Sequence, residues 1–87
     1  MRVILTNNAK KQFSQLNEPH KGRISEAINK LRNDPPEGDI IKLVGRVGYR
    51  VREGNYRIFF DIDKNLKIIN VFEIDLRGEA YKKKNKR

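Results

Sequence analysis

The spacing of apolar residues changes once along this chain, and that change decides what it can fold into. Between Ala9 and Leu31 apolar side chains recur at intervals of three and four, first Ala9, Phe13 and Leu16, then Ile24, Ala27, Ile28 and Leu31. This is the buried stripe of an amphipathic helix. After Asp34-Pro35-Pro36, which stops the helix, and after Gly38, the interval drops to two, the period of a strand with one buried face. Thr6, Asn7 and Asn8 can cap the first helix, which the pattern ends near Asn17, and Pro19 suits the first turn of the second. The stripe breaks between them, so the two form a helical hairpin.

Strands flank that hairpin. Residues 2–6, with Val3, Ile4 and Leu5, read as a short strand, and 40–44 as a short extended piece. Residues 49–53, 56–63 and 67–75 read as three successive strands. Gly54-Asn55 is a two-residue hairpin loop in which glycine supplies the unusual backbone angle, and Asp63-Lys64-Asn65-Leu66 is a longer turn. The order is β-α-α-β-β-β: an α+β fold with a helical hairpin packed on a small, mainly antiparallel sheet.

A chain of 87 residues, 37% hydrophobic, has material for one core. Residues 1–81 are read as a single domain and 82–87 as a basic, flexible tail. With no cysteine and one histidine, a disulfide framework, a thiolate metal site and a structural zinc site are not expected. No Gly-rich phosphate loop, nucleophile elbow or closely spaced carboxylate pair occurs. The apolar N-terminal run is too short for a signal peptide, and no stretch approaches the length of a membrane helix, so a cytoplasmic protein is expected.

Charge then narrows the partner. Twenty Lys and Arg against 11 Asp and Glu leave a formal +9, and removing the five cations of Lys82, Lys83, Lys84, Lys86 and Arg87 still leaves 9 − 5 = +4. A polyanion is the natural partner for such a chain, although a basic balance also serves solubility alone.

The hairpin gives the charge a place. With Gly54 and Asn55 as the loop, Glu53 pairs with Tyr56, Arg52 with Arg57, Val51 with Ile58, Arg50 with Phe59 and Tyr49 with Phe60. Directly paired residues share a face. Tyr49, Val51, Tyr56, Ile58, Phe60 and Ile62 then lie under the helices, and Arg50, Arg52 and Arg57 lie on the other side. A charged open face is ordinary for an antiparallel sheet. Three arginines with no lysine or glutamate among them are a sharper pattern, because opposed like charges destabilise a ladder unless an anion lies between them or an acid neutralises them. Asp61 is the candidate acid. Arginine also presents a planar fork to phosphate and stacks on bases.

Beyond the last strand, Asp75-Leu76-Arg77-Gly78-Glu79-Ala80-Tyr81 contains a bend at Gly78 that would return Arg77 and Tyr81 toward the arginines. On its own Tyr81 reads first as a packed terminal aromatic with its hydroxyl at the surface. His20, after Pro19, reads as a surface residue.

Taken together, Lys42-Leu43-Val44-Gly45, Tyr49-Arg50-Val51-Arg52, Gly54-Asn55-Tyr56-Arg57-Ile58-Phe59-Phe60 and Arg77-Gly78-Glu79-Ala80-Tyr81, in this order after a strand and a helical hairpin, resemble the RelE branch of the RelE/ParE toxin superfamily. The resemblance spans nearly the whole chain. It implies a toxin of a type II toxin–antitoxin system that cuts messenger RNA in the ribosomal A site with no metal or cofactor. It assigns Arg57 to the developing phosphorane, Arg50 and Arg52 to backbone positioning, Arg77 to a further cation, and Tyr81 to proton transfer or stacking. A phenol, ordinarily titrating near pH 10, would need those cations to act as a base. Lys42, Arg46, Lys82, Lys83 and Lys84 would contact RNA or the ribosome. An acidic cognate antitoxin would be the protein partner, with operator DNA bound only through the complex. Some members of the superfamily carry lysines where Arg50 and Arg52 stand and a basic residue where Asp75 stands. Two other readings fit the same fold or charge: a ParE-like inhibitor of DNA gyrase, and a non-catalytic basic RNA-binding protein.

Overall fold

A computed structural model describes residues 1–76. The elements run β1 (Arg2–Leu5), α1 (Asn7–Ser14), α2 (His20–Lys30), β2 (Asp39–Lys42), β3 (Tyr49–Glu53), β4 (Tyr56–Asp63) and β5 (Ile68–Leu76). The sheet order is β1-β5-β4-β3-β2. The three hairpin-connected pairs are antiparallel, whereas β1 lies parallel to β5 after the helical crossover. The α+β architecture is the one the sequence pattern predicts, but the short extended piece after Gly38 pairs as a full strand, so the order is β-α-α-β-β-β-β with one strand more than the predicted β-α-α-β-β-β.

Local chemistry fixes the element ends. The Thr6 hydroxyl oxygen accepts a hydrogen bond from the Ala9 N–H at 3.2 Å, capping α1. The first helix stops at Ser14, three residues short of the predicted end, because Gln15 and Leu16 turn back onto the carbonyls of Gln12 and Phe13. At the far end of α2 the Lys30 carbonyl accepts from Asn33 and Glu37, so the chain leaves the helix before the two prolines. The β2 strand is 39–42 rather than 40–44, and the pairing it begins continues to Gly48, whose carbonyl accepts from the Leu43 N–H at 3.0 Å. Residues 44–47 are left as the loop. Gly48 has a φ of +115°, and a Cβ there would stand 2.8 Å from the Phe60 carbonyl oxygen. No side chain fits. In the β3–β4 turn only the first central residue, Gly54 (φ +60°), is left-handed, the mark of a type II′ hairpin.

The β3–β4 register matches the predicted pairs at every position, from Glu53 opposite Tyr56 to Tyr49 opposite Phe60. The helices therefore cover the predicted face. Ile58, Phe60, Ile69 and Val71 of the sheet are fully buried against Ala9, Ile24 and Leu31 of the helical layer. Each of the larger side chains among these, Ala9 apart, stabilises the fold by roughly 1.5–3 kcal/mol through removal of apolar area from water. One feature is absent from the predicted pattern. Between Phe59 and Phe60 the β4–β5 register shifts, leaving Phe72 as an extra residue in β5. Such a bulge re-aims the side chain it carries. Two side chains from the start of the helical layer hold it: the Asn8 amide donates to the Phe72 carbonyl at 3.0 Å and the Thr6 hydroxyl does so at 3.4 Å.

Candidate nucleic-acid interface

The face of the sheet away from the helices is organised in transverse rows. Strand register places Asp39, Arg52, Arg57 and Asp75 side by side across β2, β3, β4 and β5. The next row is Ile41, Arg50, Phe59 and Glu73. Two arginines are thus held in direct opposition at the centre of the sheet, with an acid at each end of their row and a third arginine one row along.

The neutralising acids are not the one the sequence suggested. Asp61 shares the open face but lies four residues along β4 from Arg57, about 13 Å at strand rise, and its carboxylate accepts from the Asn70 amide at 3.2 Å. Asp39 pairs instead with Arg52, at 3.5 Å, the only ion pair among the described residues. Both partners are more than half exposed, so the bond is worth at most about 1 kcal/mol. Arg57 and Arg50 are half-buried, and neither forms an ion pair among the described residues. No ion pair among the described residues occupies their guanidinium donors, which suit an incoming anion, and restricted side chains lose less entropy when they bind one.

Other predicted positions fall elsewhere. Lys42 pairs with Tyr49, which puts it on the helix side at the exposed sheet edge, away from the arginine rows. Arg46, in the loop after β2, folds over the open face, with its guanidinium carbon 5.2 Å from the Phe59 ring centre and 5.9 Å from that of Phe72. Arg77, Tyr81, Lys82, Lys83 and Lys84 lie outside the described residues. His20 is exposed, and its ring meets that of Tyr56 at 5.5 Å on the rim of a cleft of about 610 Å³ on the helix side.

Sequence reasoning missed three participants. Asp39 and Asp75 follow from the register of β2 and β5, which no two-residue turn fixes. Phe72 had only a partial signal: β5 is apolar at 68, 69, 71, 72, 74 and 76, which breaks strict alternation, and the extra residue between the helix-side positions 71 and 74 is fixed by the pairing with β4.

This architecture recurs in solved structures. A chain of the archaeal RelE–RelB complex from Pyrococcus horikoshii OT3 superposes with a TM-score of 0.73 and 30% identity, covering 91% of this chain and 97% of that one. A chain of the RelBE2 toxin–antitoxin complex from Mycobacterium tuberculosis gives 0.76 at 19% identity, covering 87% and 96%. The isolated E. coli RelE toxin gives 0.74 at 18% identity, covering 99% and 96%. A search of curated proteins returns no match. Residues 3–81 match the family described as ParE toxin of type II toxin-antitoxin system, parDE. The chain belongs to that family, within the RelE/ParE superfamily, and is a toxin of a type II toxin–antitoxin system with a RelE-like fold.

Proposed function

We propose that this toxin is a metal-independent endoribonuclease that cleaves messenger RNA in the ribosomal A site. The observation behind the reading is the opposed pair Arg52 and Arg57, with Arg50 one row along, on the open face of the sheet. Opposed cations cost folding energy, and a phosphodiester placed between them removes that cost.

In this mechanism the RNA 2′-hydroxyl gives up its proton and its oxygen attacks the adjacent phosphorus. The bond to the 5′-oxygen breaks, and that oxygen takes up a proton, leaving a 2′,3′-cyclic phosphate and a 5′-hydroxyl. Arg57 stabilises the dianionic phosphorane, while Arg50 and Arg52 position the backbone. Arg77 adds charge, and Tyr81 transfers the proton or stacks on a base. Arginine is a poor proton donor because its pKa is too high, so Arg50 and Arg52 act through charge alone. Lys42, Arg46 and the cations at 82–84 contact RNA or the ribosome, in the cytoplasm. No cofactor takes part.

An acidic antitoxin is the proposed partner: the acidity suits a chain of net charge +9, and the similar RelBE2 structure from Mycobacterium tuberculosis is a toxin–antitoxin complex. Operator DNA is contacted through that complex. Primer extension on messenger RNA in a reconstituted translation system tests the ribonuclease reading. Discrete cuts that need ribosomes and fade in Arg57→Ala support it, and intact message with folded toxin overturns it.

One observation favours a second reading. The matching family is described by ParE, so inhibition of DNA gyrase is the alternative. A supercoiling assay separates the two: loss of supercoiling with intact message identifies a gyrase inhibitor.

A further inference from the structure

We infer that Arg46 is a stacking plate for an unpaired RNA base, an inference that rests on the reading of the open face as an RNA surface. The Phe59 and Phe72 rings, 6.3 Å apart, form an aromatic floor on a face that otherwise carries mainly charged residues, with Ile41 at its edge. Phe59 is only 8% exposed and Phe72 is half-buried, whereas Arg46 is exposed, and its guanidinium lies over both rings. Phe72 reaches this floor because the bulge turns it there, and Thr6 and Asn8 hold the bulge by its carbonyl.

A guanidinium held over two aromatic rings is restrained on that side, and the side away from the rings can receive a flat π-system. Arginine planes are one of the surfaces on which splayed-out RNA bases stack. The position is right for this: Phe59 is the strand partner of Arg50, so the plate adjoins the proposed phosphate contacts. The loop beside it carries Val44 and Val47, 96% and 85% exposed, apolar groups that a sugar and base edge would cover. A bare stabilising contact between Arg46 and the rings would require neither valine at the surface.

The test compares binding of a short single-stranded oligoadenylate with binding of an abasic ribose-phosphate chain of the same length and charge. Arg46→Lys keeps the charge and its attraction to the rings but removes the plate. It is expected to weaken oligoadenylate binding by about fivefold or more, the range of one lost base stack, to leave abasic-chain binding within about twofold, and to leave the salt dependence of binding unchanged. Equal losses on both chains, or no loss on either, overturn the plate. Arg52→Ala separates this from failure of the wider reading: if it weakens both chains while Arg46→Lys changes nothing, the RNA surface stands and the plate falls. If the wild type binds neither chain, both fall.

Discussion

Arg52 stands directly opposite Arg57 across the β3–β4 ladder, and acids close the row at both ends, Asp39 beside Arg52 and Asp75 beside Arg57. A row so arranged holds two cations together in the middle of a sheet without leaving the fold to bear their full repulsion. It also separates the demands of stability from those of function at the same residues.

Removing one arginine should show that separation. Arg57→Ala is expected to leave the melting temperature unchanged or slightly raised, since it relieves a like-charge pair, within about 0.5 kcal/mol of wild type. Its cleavage rate should fall by about 10²- to 10³-fold, as for loss of one donor to a developing oxyanion. Thermal melts and single-turnover cleavage on the same preparation check both.

Asp39→Asn tests the acid at the edge of the row. The exposed Arg52–Asp39 pair contributes at most about 1 kcal/mol, so stability should hardly change. Losing the acid leaves Arg52 less neutralised, and affinity for single-stranded RNA should rise at low salt and converge with wild type at high salt. Titrations at two ionic strengths decide it.

The two hairpin glycines should respond differently. At Gly48 an added Cβ meets the Phe60 carbonyl at 2.8 Å on a backbone already left-handed, and Gly48→Ala should cost more than about 2 kcal/mol. At Gly54 nothing lies within 4 Å, so Gly54→Ala carries only the backbone penalty of about 1–3 kcal/mol with no steric clash added. Urea unfolding ranks them.

Phe60→Ala removes the largest fully buried side chain of the core and should cost about 3–5 kcal/mol, enough to unfold much of a domain this small. Thr6→Ala should cost about 0.5–2 kcal/mol through the lost cap, with a further effect at the bulge, since the same hydroxyl bonds the Phe72 carbonyl. Circular dichroism against urea measures each.

Legibility in the sequence followed the range of the interaction. The β3–β4 register was readable because a two-residue loop leaves one alignment possible, and with it came the opposed arginines and the buried face. The helical stripe was readable for a similar reason: Ile24, Ala27, Ile28 and Leu31 lie within three turns of one another and are all buried. Pairings that span the chain were not. The parallel contact of β1 with β5 joins residues more than 60 positions apart, and nothing local specifies it. The acids flanking the arginines depend on the β2–β3 and β4–β5 registers, set by a longer loop and by a turn followed by a bulge, so Asp61, close in sequence to Arg57, is the acid the sequence suggests in place of Asp39 and Asp75. Arg46 was identified only as a cation, because its ring contacts are made by a loop folding over the sheet.

The Asp39–Arg52–Arg57–Asp75 row has charges in the order minus, plus, plus, minus, which makes it a linear quadrupole with no net charge. Its field decays with distance far faster than that of an isolated cation. Beyond the roughly 8 Å screening length of physiological salt it attracts almost nothing, whereas for a phosphate in contact with the middle of the row the two nearer cations outweigh the acids at its ends. Long-range attraction of a polyanion therefore falls to the rest of the +9 on the chain. The row acts only on a partner that has already arrived.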